Sequence, residues 1–529
     1  MKRILALILV ACTLLSMLML VGCPAPSDGG TTTTTKKPDG GTPSEWADTL
    51  DTAALKKDFG GQDLVISVKE NFQYEIYAEE DSKNALEQLV YKRNKKIEER
   101  FGITIKADIT KLTGTNDSVS HLEYARNQLQ SMAPEFDLLM MMAYQSGKLI
   151  ASGYYRDWRS SVPYAKEDIA AGSPWWPVEM NISSTVKGRQ FVALSDMSIT
   201  AIDLAYGMLF NQKLMTNENV MPKYNEEHET SFATIYDMVD AGAWTLDAMI
   251  AMTKDFWIDN DADPTGAGSV DKTDVIGFFG GTATDLDAFA YSFGFRYIEN
   301  DGVSDPTVWT MPATFDTTVN KLVDWFYNTN GATMAGMGKA GFDGIALADR
   351  PTFFAEGHAL FKSSSLQELM LPVTKGMEDD YGIVPYPKLD GDQSEYLTGI
   401  SDNVSVLSVP RFTTGKKLRM TGAVVVALSA ETHKSINDTY YEMIVKHDSG
   451  FVDKRSVEMV DKMIAGRVYD LGMYHHQEFS WQDGANQCFA IFLRYLLWNK
   501  EDASGVWSGV SDFASGAMKN LIKMYENLK

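Results

Sequence analysis

Leu64-Val65-Ile66-Ser67-Val68 is a short apolar run rich in β-branched residues, and the pattern that follows it decides the fold. A run of this length and composition suits a buried strand. From about Ser82 to Phe101 the apolar residues recur at helical spacing. Leu86, Leu89, Val90, Ile97 and Phe101 form one stripe, with Lys92, Lys95, Lys96, Glu98 and Glu99 off it. Gly102 stands where a helix end favours a left-handed residue. Ile103, Ile105, Ala107 and Ile109 then alternate with polar residues as a second strand. A second helix carries Val119, Leu122, Ala125, Leu129 and Met132 at spacings of three and four, and Phe136-Asp137-Leu138-Leu139-Met140 is a third strand. The order βαβαβ predicts a parallel, doubly wound sheet that receives ligands at the carboxyl ends of its strands.

Working outward, the same mixture continues without a fixed repeat. Met208-Leu209-Phe210-Asn211 reads as a strand running into a helix start. Thr245 is positioned to cap a helix, with Trp244 stapled to Met249. Val424-Val425-Val426-Ala427-Leu428 fits a buried strand or a buried helix, and periodicity does not separate the two.

The amino terminus carries a different signal. Lys2 and Arg3 precede an apolar run from Ile4 to Val21, which ends in Leu20-Val21-Gly22-Cys23. Two cations, an apolar stretch and a small residue before a cysteine are what an export signal with a lipid-attachment site requires, and the four residues match the bacterial lipobox. The alternative is an uncleaved membrane anchor, since eighteen apolar residues are just long enough to span. Both readings put the rest of the chain outside the cytoplasm. Residues 1–22 are then a signal peptide and 23–60 a lipidated Cys23 with a tether. From Pro24 to about Ser44 the tether is Pro, Ser, Gly and Thr with nothing to bury.

Composition narrows the function. The chain of 529 residues has 48 Lys and Arg against 71 Asp and Glu, a formal charge of −23, and loss of Lys2 and Arg3 with the signal makes it two units more negative. Such a surface repels phosphate backbones, which argues against nucleic acid as a partner. Hydrophobic residues at 44% are ample for more than one core, so two or more lobes are expected. Cys12 lies in the signal and Cys23 at the lipid site, which leaves Cys488 alone. An intramolecular disulfide and a cysteine metal cluster are thereby excluded, and Cys488 in an apolar run reads as a buried small hydrophobe.

Several landmarks together resemble one family, the bacterial extracellular solute-binding proteins of family 1, the carbohydrate-type lipoproteins of ABC transporters. They are Arg93 to Ile103, Phe136-Asp137-Leu138-Leu139, Met208 to Leu214, Trp244-Thr245-Leu246-Asp247, Phe354-Ala355-Glu356-Gly357-His358-Ala359-Leu360-Phe361 and Tyr381-Gly382-Ile383-Val384-Pro385-Tyr386-Pro387. The resemblance implies an α/β, two-lobed periplasmic-binding-protein-like fold of type II, with the ligand cleft between lobes joined by a hinge. It implies lobe 1 over 61–200, lobe 2 over 201–402, a return to lobe 1 over 403–445 and C-terminal helices over 446–529 spanning both. The implied partners are a sugar or oligosaccharide and the permease subunits of an ABC transporter, with a monomer held at the extracytoplasmic face of the membrane. Ligand-driven closure of the hinge would be the signal that the permease reads.

Sugars are held by aromatic platforms together with Asp, Asn and Arg groups, so strand ends and crossings are the candidate positions. Glu70 and Asn71 follow the first strand, Tyr144 and Gln145 the third, and Ser364 and Ser365 the Ala-Leu-Phe motif. Asp196 and Asp402 sit near the implied crossings, Trp481 where the family often supplies a stacking aromatic, and Trp175-Trp176 in a loop between two prolines. The acidic run Asp259-Asn260-Asp261-Ala262-Asp263, followed by Asp271 and Asp274, spaces carboxylates in a way that suits a structural calcium ion, with a solvated acidic turn as the alternative. It departs from an EF-hand, since Pro264 replaces the turn glycine. No other cofactor is expected.

Other functional classes make different demands on the residues. A surface glycoside hydrolase needs two carboxylates across a cleft; among 71 acidic residues carboxylate pairs do not discriminate, and no recognisable acid/base motif emerges. A Ser/His/Asp hydrolase lacks its Gly-x-Ser-x-Gly elbow. His475-His476 reads as a polar helix face, because neighbours on a helix point apart. A sensor that reports to a membrane kinase would share every feature of a transport protein.

Overall fold

The computed structural model describes residues 50, 52–110, 117–260, 270–335, 345–437, 439, 454–481 and 487–528. The first sheet is built as the periodicity predicts. Strand β1 (Asp63–Lys69), helix α1 (Ala85–Phe101), strand β2 (Thr104–Thr110), helix α2 (Asp117–Gln130) and strand β3 (Leu138–Met142) follow one another, with β1 parallel to both β2 and β3. Asn84, rather than Ser82, starts α1: its side chain accepts from Leu86 N and Glu87 N, satisfying two orphan donors, while Ser82 bonds Glu87. Gly102 ends the helix at φ 65°. Met132 is a correction. It lies beyond the end of α2 at φ 59° and is 69% exposed, because the helix stops at Gln130.

The second sheet holds β4 (Tyr206–Asn211), β5 (Val275–Gly280), then helix α3 (Thr284–Ser292), β6 (Ala332–Met334), β7 (Ala359–Ser365) and β8 (Tyr381–Pro385), in the order β6-β5-β7-β4-β8. Asn211 caps the helix after β4 through Leu214 N, and Thr245 caps the helix Leu246–Thr253 through Ala248 N. Trp244 is buried, stacks on Phe361 with centroids 5.4 Å apart and donates Nε1–H to Pro385 O.

Strand β9 (Ser405–Ser408) returns to the first sheet, which reads β9-β3-β1-β2. The two sheets share one plan. In each, a central strand is parallel to its two neighbours, and a fourth strand adds in antiparallel sense beside the third, β9 on β3 and β4 on β7. That fourth strand is the one laid down just after the chain crosses from the other sheet. Each lobe is therefore completed by chain that enters from the other.

The crossings run side by side. Ala193 bridges Leu407, Ala205 bridges Ile400, and Thr398–Gly399 pair in parallel with Arg467–Val468. After β9 comes helix α4 (Gly415–Thr432), which settles the ambiguous valine run as a helix buried from Met420 to Ala430. In the carboxyl-terminal region Lys454–Ala465 packs on β8, Leu471–Tyr474 on the helix Ala143–Ala151, and helix α5 (Phe492–Asn499) on α3, ahead of helix α6 (Ala503–Asn527). Cys488 is buried, and burial pushes its thiol up. No helix of the described residues is long and apolar enough to cross a membrane; Ile4–Val21 and Cys23 lie outside the described residues.

Candidate functional site

Both sheets direct the ends of their parallel strands, and the loops those ends feed, toward the crossings. In lobe 1, β1 runs into the one-turn segment Glu70–Glu75 and β3 into the helix that begins Ala143-Tyr144. In lobe 2, β5 runs into Gly281-Thr282, and β7 ends beside Tyr206, the first residue of the antiparallel β4. The three crossings bring Tyr206, Asp402 and Tyr469 to one region, one residue from just beyond each.

Asp402 is the centre of this cluster. Its carbonyl accepts from Tyr144 N at 3.2 Å, which fastens it to lobe 1. Its carboxylate acts electrostatically on Tyr206, on the Asp287–Arg494 pair, on Tyr469 and on His476. Burial pushes the His476 imidazolium down, and the Asp402 charge opposes that shift. Tyr144 lies edge-on to His476, with centroids 6.3 Å apart, and its hydroxyl accepts from Gln145 Nε2 at 3.2 Å. Among the described residues the Tyr469 hydroxyl is buried and has no partner.

Lobe 2 presents a wall tied together by hydrogen bonds. Asp285, in the first turn of α3, accepts from Gly281 N at 2.7 Å, from Thr282 N at 3.0 Å and from the Thr282 and Ser363 hydroxyls. The loop amides just before α3 are thus satisfied by the chain's own carboxylate. Lys362 is buried and pairs with Glu368, and the Tyr206 hydroxyl bonds Thr284.

The sequence candidates divide. Tyr144, Gln145 and Asp402 come together as described, and Glu70 and Asn71 lie at the end of β1. Trp175 and Trp176 are corrections: both are core, 1% and 4% exposed, and their Nε1–H groups donate to Asp168 Oδ2 at 2.6 and 2.7 Å. Asp196 is also a correction. It is 8% exposed, its carboxylate is held by His433, and its amide bonds Trp175 O. Ser364 is fully buried and donates to Ser365 O at 3.0 Å, so the Ser364-Ser365 step serves the end of the central strand β7, whereas Ser363 supports Asp285. Trp481 is half-buried against Tyr495 and Phe492, at 5.2 and 6.2 Å.

The acidic run is only partly described, since Asp261 and Asp263 lie outside the described residues. Asp259 is exposed. Asp274 is buried, with Oδ1 accepting from Asn260 N and Oδ2 from Trp257 Nε1 and Asp271 N, while Asp271 binds Thr273. These two carboxylates are engaged by neighbouring described residues, and among the described residues no group of three or more His, Cys, Asp or Glu is placed to hold a metal ion. His475 and His476 correct the helix-face reading. Both are buried beyond the short helix, facing Tyr525 and Tyr144 respectively.

Asp287, Arg494, Tyr206 and Tyr469 escaped the sequence reading. One signal was available for two of them: a lone Arg within Phe489 to Trp498 and a lone Asp within Leu286 to Ala290 are charges inside apolar helices, and each demands a partner.

No protein-family model matches the chain, and no curated protein matches it. Among solved structures it is similar to a family 1 extracellular solute-binding protein from Bifidobacterium longum subsp. infantis, with 12% identity, coverage of 89% of this chain and 100% of that one, and a TM-score of 0.49. It is also similar to an ABC transporter solute-binding protein from Agrobacterium radiobacter K84 in complex with ribitol (13% identity, 87% and 99% coverage, TM-score 0.48). A third is the maltose/maltodextrin-binding domain from Bdellovibrio bacteriovorus bound to maltotriose (11% identity, 87% and 100% coverage, TM-score 0.48).

Proposed function

We propose that this chain is the solute-capturing component of an ABC transporter, taking a neutral sugar, alditol or oligosaccharide between its two lobes and presenting the closed form to a permease. The observation that carries the reading is the convergence of Tyr206, Asp402 and Tyr469 beyond three adjacent crossings, where Asp402 is bonded to lobe 1 and acts on groups of lobe 2. A solute seated there touches both lobes only when they are closed, so its binding energy favours closure. Polar groups beside aromatic edges suit hydroxyls on an otherwise apolar ring.

The same reading has the protein exported and held at the extracytoplasmic face by lipid on Cys23, as a monomer on a Pro, Gly and Thr tether. The Gly22-Cys23 boundary behind an apolar run supports it. A thermal-shift screen of mono- and oligosaccharides and alditols tests the capture step. A solute present at 100 times its Kd adds about 2.7 kcal/mol of stability. No shift with any of them, together with shifts from peptides, would replace the reading.

A further inference from the structure

We propose that Arg494 is a specificity-determining donor in the cleft, that Asp402 is the acceptor opposite it, and that together they read one diol edge of a neutral solute. The inference rests on the reading of the cleft given above. Arg494 lies on α5 with its side chain 10% exposed, and a guanidinium so placed needs a counter-charge. Asp287 on α3 supplies it: Nε donates to Oδ1 at 3.0 Å and Nη2 to Oδ2. Two of the three nitrogens are thereby used, and the plane of the group is fixed.

The third nitrogen, Nη1, has no partner among the described residues. Its two N–H groups are the strongest uncommitted donors in the cluster. The Asp402 carboxylate acts electrostatically on this guanidinium without forming an ion pair, and its only side-chain hydrogen bond among the described residues is a long one from Ser401 Oγ, at 3.4 Å to Oδ1. Burial alone would lower the Arg494 guanidinium, and Asp287 more than offsets this, so the donor stays cationic. Two hydroxyls on neighbouring carbons would engage both groups, one oxygen accepting from Nη1 and the other O–H donating to Asp402. The Asp402 carboxylate adds negative charge beside the Asp287–Arg494 pair. That disfavours sugars bearing a carboxylate.

Calorimetry of wild type, R494K and D402N with glucose, ribitol, maltotriose and glucuronate tests this. R494K keeps a charge for Asp287 but removes the fixed second donor, and D402N keeps the shape. For whichever neutral probe binds wild type, each variant should lose about tenfold or more in affinity. One monodeoxy form of that probe should lose a similar factor on wild type and nothing further on R494K, a response that a merely structural role would not produce. Affinities of both variants within twofold of wild type would overturn the inference while leaving solute capture intact. Binding of glucuronate in preference to every neutral probe would also overturn it, and binding of none of the four by wild type would remove the inference together with the reading beneath it. If R494K does not fold, D402N and the deoxy series decide alone.

Discussion

Glu75 Oε1 accepts hydrogen bonds from both the backbone N and the Oγ1 of Thr200, each at 2.9 Å. Thr200 Oγ1 in turn accepts from Ser405 N, so one buried carboxyl ties the turn after β1 to the outgoing chain and to the returning strand. The neighbouring Tyr74 hydroxyl binds Asp203 on the same outgoing segment, and Arg93 donates to Glu75 O. Burial raises Glu75 from 4.5 to about 7, opposed by the hydrogen bonds from Thr200 and Ser405.

A pH dependence follows from that shift. A carboxyl whose folded pKa is raised contributes stability that is fully present below its unfolded pKa, near 4.5, and is lost as pH rises through about 7. Glu75→Gln cannot ionise. The stability of wild type relative to Glu75→Gln should therefore fall by on the order of 3 kcal/mol between about pH 4.5 and pH 8, measured by urea unfolding. A difference that is flat with pH would show that Glu75 ionises in the fold as it does in water.

Asp168 is the acceptor for Trp175, Trp176 and Ser173, all buried. Asp168→Ala would leave two indole donors unpartnered in the core, which should cost about 3 kcal/mol. Because this cluster is core rather than cleft, the affinity for any bound saccharide should stay within twofold. A large loss of affinity at unchanged stability would return the tryptophans to the site.

Gly422 lies inside α4, where alanine ordinarily stabilises by roughly 1 kcal/mol. Here an added Cβ would sit 1.9 Å from Pro163 O, a backbone atom with little freedom to move. Gly422→Ala should therefore destabilise, by about 2 kcal/mol or more, and lower the melting temperature. A raised melting temperature would mean that α4 does not approach Pro163 so closely.

Cys23→Ser tests the membrane attachment. The variant should retain its signal peptide and carry no lipid, read by mass and by metabolic labelling with palmitate. Normal processing and unchanged labelling would contradict attachment at this residue.

The parts of the fold legible in the sequence were those with local signatures. The first βαβαβ unit, the Gly102 helix end, the strand-to-helix step at Asn211 and the cap at Thr245 each follow from a few adjacent residues. The antiparallel additions of β4 and β9 have no local mark, because their registers are set against strands far away in the chain. The tryptophan pair misled for a related reason. Flanking prolines signalled a loop, yet Asp168, seven and eight residues upstream, satisfies both indoles and lets that loop enter the core. In the candidate site Tyr144 and Asp402 were readable as strand-end and crossing positions. The Asp287–Arg494 pair spans 207 residues and emerges only when α3 and α5 meet.

Small-angle scattering of the purified mature protein, with and without a saturating saccharide identified by thermal shift, tests the central claim most directly. Closure about the three crossings predicts a smaller radius of gyration in the bound state and an unchanged saccharide recovered at the end. Superimposable profiles with the saccharide bound, or its conversion to a product, would contradict capture by closing lobes.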